Sequence, residues 1–298
     1  MTDSHAWAHE RPRLLGLAHT VLGTWQDAED TVSEAWLRLD RVTGTGQEPQ
    51  DVPAWLTVVV ARLALDAATS AAKRRESYVG PWLPEISVQD DPAEHAVLGE
   101  GVDLAFLRML QTLRPVDRVI VVLAEVAGMS HHDIAAVTGT TPSATRQRLR
   151  RARVSLSTGD VPVPHVVQRH RLDVLAAALN DGDLGTLVDE LSEGCVLWTD
   201  SGGLSSAARN AVRGHDRVSR FLAGLVGKYG MPRVSVVDTV AGPVFHAVSP
   251  DMTRLVVLET GEAGGGAGTV TGIQVQQNPG KIRTSPGQSS MRSTLPEA

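Results

Sequence analysis

The sequence predicts a multidomain chain: two all-α domains, the second built on a helix-turn-helix, followed by an α+β domain. Three observations carry this reading. Apolar residues repeat at helical spacing over residues 6–70 and again from about 102 to 156. Between these stretches, and again at STGDVPVPH, proline interrupts the pattern. Beyond CVLWTD the chain turns to β-branched and Gly-rich runs. At 298 residues it is long enough for two or three separate cores.

The first element carries Leu14, Leu17, Ala18, Val21 and Leu22 on one face and stops at Gly23. In QDAEDTVSEAWLRLD, the residues Ala28, Val32, Ala35, Trp36 and Leu39 form a second apolar stripe. TGTGQEPQDVP reads as a loop whose Pro53 suits a helix start. The third helix, AWLTVVVARLALDAATSAAKRRE, is mostly apolar and ends in Lys73, Arg74 and Arg75; Arg62 and Asp66 break its apolar run, which reads as too short to span a bilayer. These helices make a domain over 6–76. Residues 77–101 hold prolines and little periodicity and read as a linker, although Trp82 and Leu83 are more than a flexible tether needs. A second helical domain spans 102–158. Two helical segments (166–180 and 183–191) precede CVLWTD, and VSVVDTV, PVFHAV, RLVVLET and GTVTGIQV read as strands, so helices followed by a strand meander place an α+β domain at 165–283. Residues 284–298 are polar and read as a disordered tail.

Composition bounds the function. A formal net charge of -6 makes indiscriminate nucleic-acid binding unexpected, so any such activity is local. The single cysteine, Cys195, sits in an apolar run and reads as buried filler that fits a reducing compartment. MTDSHAWAHERPR lacks the apolar core of a signal peptide, and the expected location is cytoplasmic, with no membrane partner. No metal site, cofactor or catalytic set is expected.

The local exception to the acidic balance is TTPSATRQRLRRARVSL, where Arg146, Arg148, Arg150, Arg151 and Arg153 crowd together. Ile134 and Val137 line a first helix, Gly139 permits a sharp turn, Thr141 can cap the next helix and Pro142 suits its first position. Thr145, Leu149, Ala152 and Leu156 then fall on one buried stripe, which turns Ser143, Ala144, Arg146, Gln147 and Arg150 outward. In a helix-turn-helix those positions look into the major groove, where arginine pairs with guanine and glutamine with adenine. The competing account is a solvated basic face on an ordinary bundle, and the well-formed turn weighs against it. In the first domain Asp27, Asp30 and Glu34, with Glu29 beside them, form an acidic stripe opposite the apolar one. Taken on their own, such acids are better explained as complementing the helix dipole.

RPRLLGLAHTVLGTWQDAEDTVSEAWLRL, PAWLTVVVARLALDAA and the distal helix-turn-helix together resemble a bacterial RNA polymerase sigma factor of the extracytoplasmic-function group, over roughly residues 8–156. The resemblance implies that the Asp27–Glu34 helix, with Glu29, docks on the clamp helices of the β′ subunit of core RNA polymerase. It implies that the third helix engages the promoter −10 element, where Arg62, Lys73, Arg74 and Arg75 suit the backbone of a separated strand. Ser143, Ala144, Arg146, Gln147 and Arg150 become readers of the −35 element. Ala67, Ala68, Ala71 and Ala72 stand where related sequences usually keep further arginines, which points to a weaker −10 grip.

WLPE (Trp82, Leu83, Pro84, Glu85) looks like a signature of the SigJ-like subgroup, whose C-terminal domain is a SnoaL-like α+β cone. Residues 166–283 are similar to such a cone. Members usually carry Asp-Gly-Gly-Gly-Lys and Asn-Pro-Asp-Lys-Leu where this chain has DSGGL (from Asp200) and NPGKI (Asn278, Pro279, Gly280, Lys281, Ile282). The family implies that the cone replaces a separate anti-sigma protein and contacts the linker through Trp82 and Leu83, with Asn278 to Ile282 close by. A rigid connector with Trp82 packed on its nearest helix explains WLPE about as well. Asp200, Arg209, His215 and His246 are candidates for acid/base chemistry in the cone, but no base–orienter pair stands out, and reading them as a loop acid and surface residues is preferred. A small-molecule ligand near Trp198 is a further option. The expected function is thus promoter-specific initiation without catalysis, modulated in cis. The alternatives are a one-component DNA-binding regulator with a ligand-sensing cone, which leaves the acidic helix idle, and a cone enzyme fused to a DNA-targeting region.

Overall fold

The computed structural model describes residues 4–47, 49–88, 102–156, 164–205, 207–250, 252–261 and 268–284. It divides into two compact units: Met1–Ser77, Pro92–Val102 and Met109–Asp160 form the first, and Tyr78–Asp91, Asp103–Arg108 and Val161–Ala298 the second.

The first unit opens with helices α1 (Ser4–Leu22), α2 (Trp25–Gly44) and α3 (Val52–Arg75), packed on one another. Leu14, Ala18 and Val21 of α1, Ala28, Val32, Ala35 and Leu39 of α2 and Leu56, Val60, Ala64 and Ala68 of α3 are the buried apolar side chains of these packed helices. Each large side chain buried this way contributes about 1.5–3 kcal/mol, and the alanines of α3 hold the helices close. Asp51 caps α3 by accepting the Ala54 N–H at 2.9 Å. By length and composition alone α3, at 24 residues, passes the test for a membrane-crossing helix, as core helices also do. Here its apolar face is instead covered by α1 and α2.

Four helices follow: α4 (Leu104–Leu110), whose residues are shared between the units, α5 (Pro115–Glu125), α6 (His131–Thr138) and α7 (Pro142–Leu156). The α6–α7 turn is built from local chemistry. The Ser130 hydroxyl accepts the Asp133 N–H, Gly139 ends α6 with φ 65°, and the Thr141 hydroxyl accepts the Ala144 N–H at 3.1 Å. A side chain at Gly139 would cost about 1–2 kcal/mol for its left-handed backbone. Thr145, Leu149 and Ala152 are buried and Leu156 is half-buried, seating α7 on α5 and α6.

Arg118 is the polar hub of this unit and only 4% exposed. Its guanidinium donates to the carbonyls of Leu110, Leu113 and Val21 and, at 2.6 Å, to Gln111 Oε1, so it ties the end of α1 to α5. Burial, with the neighbouring Arg75 charge second, pushes its pKa down to about 9.

The second unit is a curled mixed sheet with helices against it. Its strands are β1 (Ile86–Val88), β2 (His165–Val166), β3 (Leu191–Asp200), β4 (Val212–Arg213), β5 (Arg233–Thr239), β6 (Gly242–Ser249), β7 (Met252–Thr260), β8 (Val270–Gln276) and β9 (Ile282–Thr284). They run in the order β4-β3-β8-β7-β6-β5-β1-β9, with β2 paired to β7. The β3–β8 and β1–β9 pairs are parallel; the others are antiparallel. Helices α8 (Arg169–Asn180), α9 (Gly185–Asp189) and α10 (His215–Tyr229) close its core, where Leu172, Leu175, Leu197, Val218, Phe245 and Ile273 meet. Cys195 is fully buried there, and burial, with the Glu259 charge second, pushes its thiol up to about 12.

The expected linker needs correction. Its first half belongs to this sheet: Ile86, Ser87 and Val88 pair in register with Ile282, Arg283 and Thr284, and Val88 also pairs with Thr239. A three-residue strand is too short to show a period, so the prolines before it dominate the sequence pattern. The rest of the expected linker, 89–101, and the expected tail, 285–298, lie outside the described residues.

Candidate functional site

Four places collect the residues singled out from the sequence. On α2, Asp30 is exposed and Asp27, Glu29 and Glu34 are half-buried. The Thr24 hydroxyl donates to Asp27 at 2.6 Å and Gln26 donates to Asp30 at 3.0 Å. Arg38 donates to Glu34 at 2.9 Å and, with Arg41 nearby, holds that carboxyl below the usual range. The acidic face is therefore present but locally screened, with the exposed Leu37 beside it.

On α7 the expected reading face is open: Ser143, Arg146, Gln147 and Arg150 are exposed and Ala144 half-buried. The five arginines divide. Arg148 turns back to Asp117 at 2.9 Å and Arg153 to Glu125 at 2.8 Å, so the basic run is not wholly unopposed. Arg146, Arg150 and Arg151 have no acidic partner among the described residues.

The cations at the third helix also divide. Lys73 and Arg74 are exposed. Arg62 donates to the Ala136 carbonyl at 3.1 Å, and Arg75, half-buried, donates to the Leu22 carbonyl at 3.0 Å and to Gln111 at 2.8 Å. Arg62 and Arg75 are thus engaged within the protein, whereas Lys73 and Arg74 point to solvent. Arg62 and Arg75 lie beside helix-end carbonyls that lack partners within their own helices, and they satisfy those.

The fourth place is a buried polar knot. Asp200 ends β3 fully buried, and Lys281, 8% exposed, reaches its Oδ2 at 2.7 Å. The Leu83 N–H donates to the same oxygen at 2.9 Å, the Tyr78 hydroxyl and the Gly202 N–H donate to Oδ1, and the Lys281 ammonium also donates to the Leu83 carbonyl at 3.0 Å. The Lys281 Nζ lies 4.0 Å from the Trp82 ring and 4.6 Å from that of Tyr78. Gln276 donates to the Pro84 carbonyl, Arg283 approaches Glu85 at 3.7 Å, and Asn278 donates to the Tyr78 hydroxyl at 3.0 Å. Pro279 starts the short 3-10 turn that aims Lys281, and Asn278 caps that turn. Glycine is required at Gly202 (φ 60°), because a Cβ there would stand 2.5 Å from Asn278 Nδ2.

The knot gathers Trp82, Leu83, Pro84, Glu85, Asp200, Asn278, Pro279 and Lys281, and it changes the reading of Asp200 from loop acid to buried anchor. Its partners do not include Arg209, His215 or His246: Arg209 is exposed, His215 contacts the Val188 carbonyl, and His246 is half-buried with its pKa lowered by burial. Sequence reasoning missed Tyr78 and Gln276. Tyr78 sits four residues before Trp82 in SYVGPWLPE, and its aromatic ring was the available signal. Among the described residues no group of three His, Cys, Asp or Glu side chains is arranged to hold a metal ion.

A family model for sigma-70 region 2 matches residues 6–74, and one for sigma-70 region 4 matches residues 103–156. The ECF RNA polymerase sigma factor SigJ of Mycobacterium tuberculosis is 40% identical over 227 residues, covering 74% of this chain and 72% of that one. The probable ECF RNA polymerase sigma factor SigI of the same species is 36% identical over 221 residues, covering 72% of this chain and 74% of that one. The crystal structure of the M. tuberculosis extracytoplasmic function sigma factor SigJ superposes with a TM-score of 0.73 at 31% identity, over 93% of this chain and 97% of that one. This chain belongs to the extracytoplasmic-function sigma factors of RNA polymerase, in the SigJ-type branch that carries a C-terminal domain.

Proposed function

We propose that the protein lends promoter specificity to core RNA polymerase and that its C-terminal domain controls this activity in cis, in place of a separate anti-sigma protein. The observation that carries the reading is the joint presence, in order, of the two sigma regions with an exposed reading face on α7 and an acidic face on α2. Asp27, Glu29, Asp30 and Glu34 are the polymerase-docking set, where charge complementarity to the β′ clamp helices sets orientation and on-rate. Ser143, Ala144, Arg146, Gln147 and Arg150 read the −35 element. Lys73 and Arg74 are the available part of the −10 grip, and Arg62 and Arg75 join it when their carbonyl partners are given up.

The cis control is supported by the strand pairing of the linker. Tyr78–Val88 follows the first sigma region and belongs to the C-terminal unit, in whose sheet Ile86–Val88 is a strand, so that unit sets the path of this part of the connector. An attached partner acts at high effective concentration, and weak contacts then suffice. Reversing charge at Asp27, Asp30 and Glu34 together is expected to abolish copurification with core polymerase while the circular dichroism spectrum stays unchanged. Undiminished copurification of the folded variant would remove the acidic face from the docking role.

A further inference from the structure

A second buried ion pair lies inside the C-terminal unit. Glu259 of β7 is 1% exposed. Its carboxylate takes both arms of the Arg108 guanidinium, Nε at 2.6 Å and NH2 at 2.7 Å. The Gln274 amide donates to the Glu259 Oε1 at 2.7 Å and fixes the carboxylate plane. The Trp198 ring covers the guanidinium, with Cζ at 3.9 Å from its centroid. Gly272 makes the room, since a Cβ there would fall 2.5 Å from the Glu259 Oε2 and 3.0 Å from the Trp198 ring. Flat cation, two-oxygen acceptor and aromatic lid together match a planar guanidinium and not an ammonium.

We propose that these four sheet residues form a guanidinium receptor, that its occupant is the chain's own Arg108, and that it seats the start of α4 on the C-terminal sheet. The backbone around Arg108 is held as a bound peptide would be. The Leu104 N–H donates to the Ala241 carbonyl at 3.0 Å, the Leu104 carbonyl accepts from Gln274 at 3.2 Å, and the Asp103 carboxylate accepts the Val166 N–H at 2.9 Å. Residues 103–108 lie within the stretch matched by sigma-70 region 4. The C-terminal sheet therefore holds residues 103–108, the start of α4, at a site distinct from the Asp200–Lys281 knot. The ligands able to compete are alkylguanidinium and amidinium cations. In the wild type such a ligand meets Arg108 at a high effective concentration and does not displace it at low dose.

Chemical rescue of the full-length protein tests this. Arg108→Ala empties the receptor, and ethylguanidinium at millimolar concentration is expected to raise the Tm of that variant by mass action. It should leave the wild type and Arg108→Ala/Glu259→Gln unmoved, and neutral N-ethylurea should not rescue Arg108→Ala. A Tm of Arg108→Ala that does not rise, or an equal rise in all three proteins, overturns the receptor. If Arg108→Ala does not fold, Arg108→Lys takes its place, with hydrogen exchange at residues 104–108 as the readout. Exchange faster than in the wild type and slowed by ethylguanidinium supports the proposal; wild-type protection in Arg108→Lys refutes it. These outcomes do not depend on polymerase binding, so they stand apart from the test of the sigma-factor reading.

Discussion

Lys281→Met isolates the contribution of the knot to the linker's position. The substitution keeps the length and apolar stem of the side chain and removes the ammonium. It deletes the 2.7 Å contact to Asp200 and the 3.0 Å bond to the Leu83 carbonyl, together with two cation–π contacts. Removing one partner of a buried ion pair costs about 3–5 kcal/mol, because the other charge stays desolvated. Asp200 retains the Tyr78 hydroxyl and the Leu83 and Gly202 N–H groups as donors, which places the expected cost near the lower bound, about 3 kcal/mol. At about 1.4 kcal/mol per tenfold, local opening should become roughly a hundredfold more frequent. Native-state hydrogen exchange of the full-length protein reads this directly on the amides of residues 83–88. Asp200→Asn supplies the second edge of a double-mutant cycle, and Lys281→Met added to Asp200→Asn should cost far less than Lys281→Met alone. A change in exchange below about threefold, under roughly 1 kcal/mol, or strict additivity in the cycle would refute the claim that this pair anchors the linker.

Two further outcomes test the packing of each unit. Arg118→Met strands the buried carbonyls of Val21, Leu110 and Leu113; the guanidinium already bears a desolvation cost, so the net loss expected in urea denaturation is about 3 kcal/mol. Unchanged stability would show that the end of α1 is held by apolar contacts alone. Burial raises the Asp103 carboxyl above its ordinary value despite the Phe106 and Val166 N–H bonds. A raised folded-state pKa favours the fold fully below the unfolded value, and that contribution is lost as pH rises through the folded value. The Tm of the wild type should therefore fall relative to Asp103→Asn from about pH 4 upward, and a pH-independent difference would contradict this account.

What could be read from the sequence divides along a physical line. The helices, the Gly139 turn and the α7 burial stripe were legible because the forces that make them are local: apolar period, cap hydroxyl and positive φ. So were strands β5 to β8 and helices α8 and α9, whereas β3 and α10 were not assigned from the sequence. Strand β1 was not, since its stability comes from β9 and β5, and β9 lies nearly two hundred residues away in the chain. Asp200 and Lys281 were both named beforehand, but only the three-dimensional path of β3 and the Asn278 turn makes them partners. Arg108 and Glu259 carry no local signal at all: one sits in the short, mostly apolar LAFLRML, the other in RLVVLET. The arginine-rich helix looked uniform as text, and long-range acids Asp117 and Glu125 divide it into reading and structural members.

That division also bears on how the acidic chain keeps its DNA-binding charge in check. Arg62 and Arg75, assigned to the −10 grip, satisfy carbonyls at Ala136 and Leu22, and Arg75 also contacts Gln111. Each such bond contributes only about 0.5–1.5 kcal/mol net, and Arg62 is exposed, so water can replace it at little cost. A contact set this weak does not by itself hold the two sigma regions together against polymerase and promoter. The stronger constraints, two desolvated ion pairs at Asp200–Lys281 and Glu259–Arg108, lie in the C-terminal unit and act on segments on either side of residues 89–101. Under the cis control proposed above, neutralising one of those pairs should alter promoter use more than removing Arg62 does.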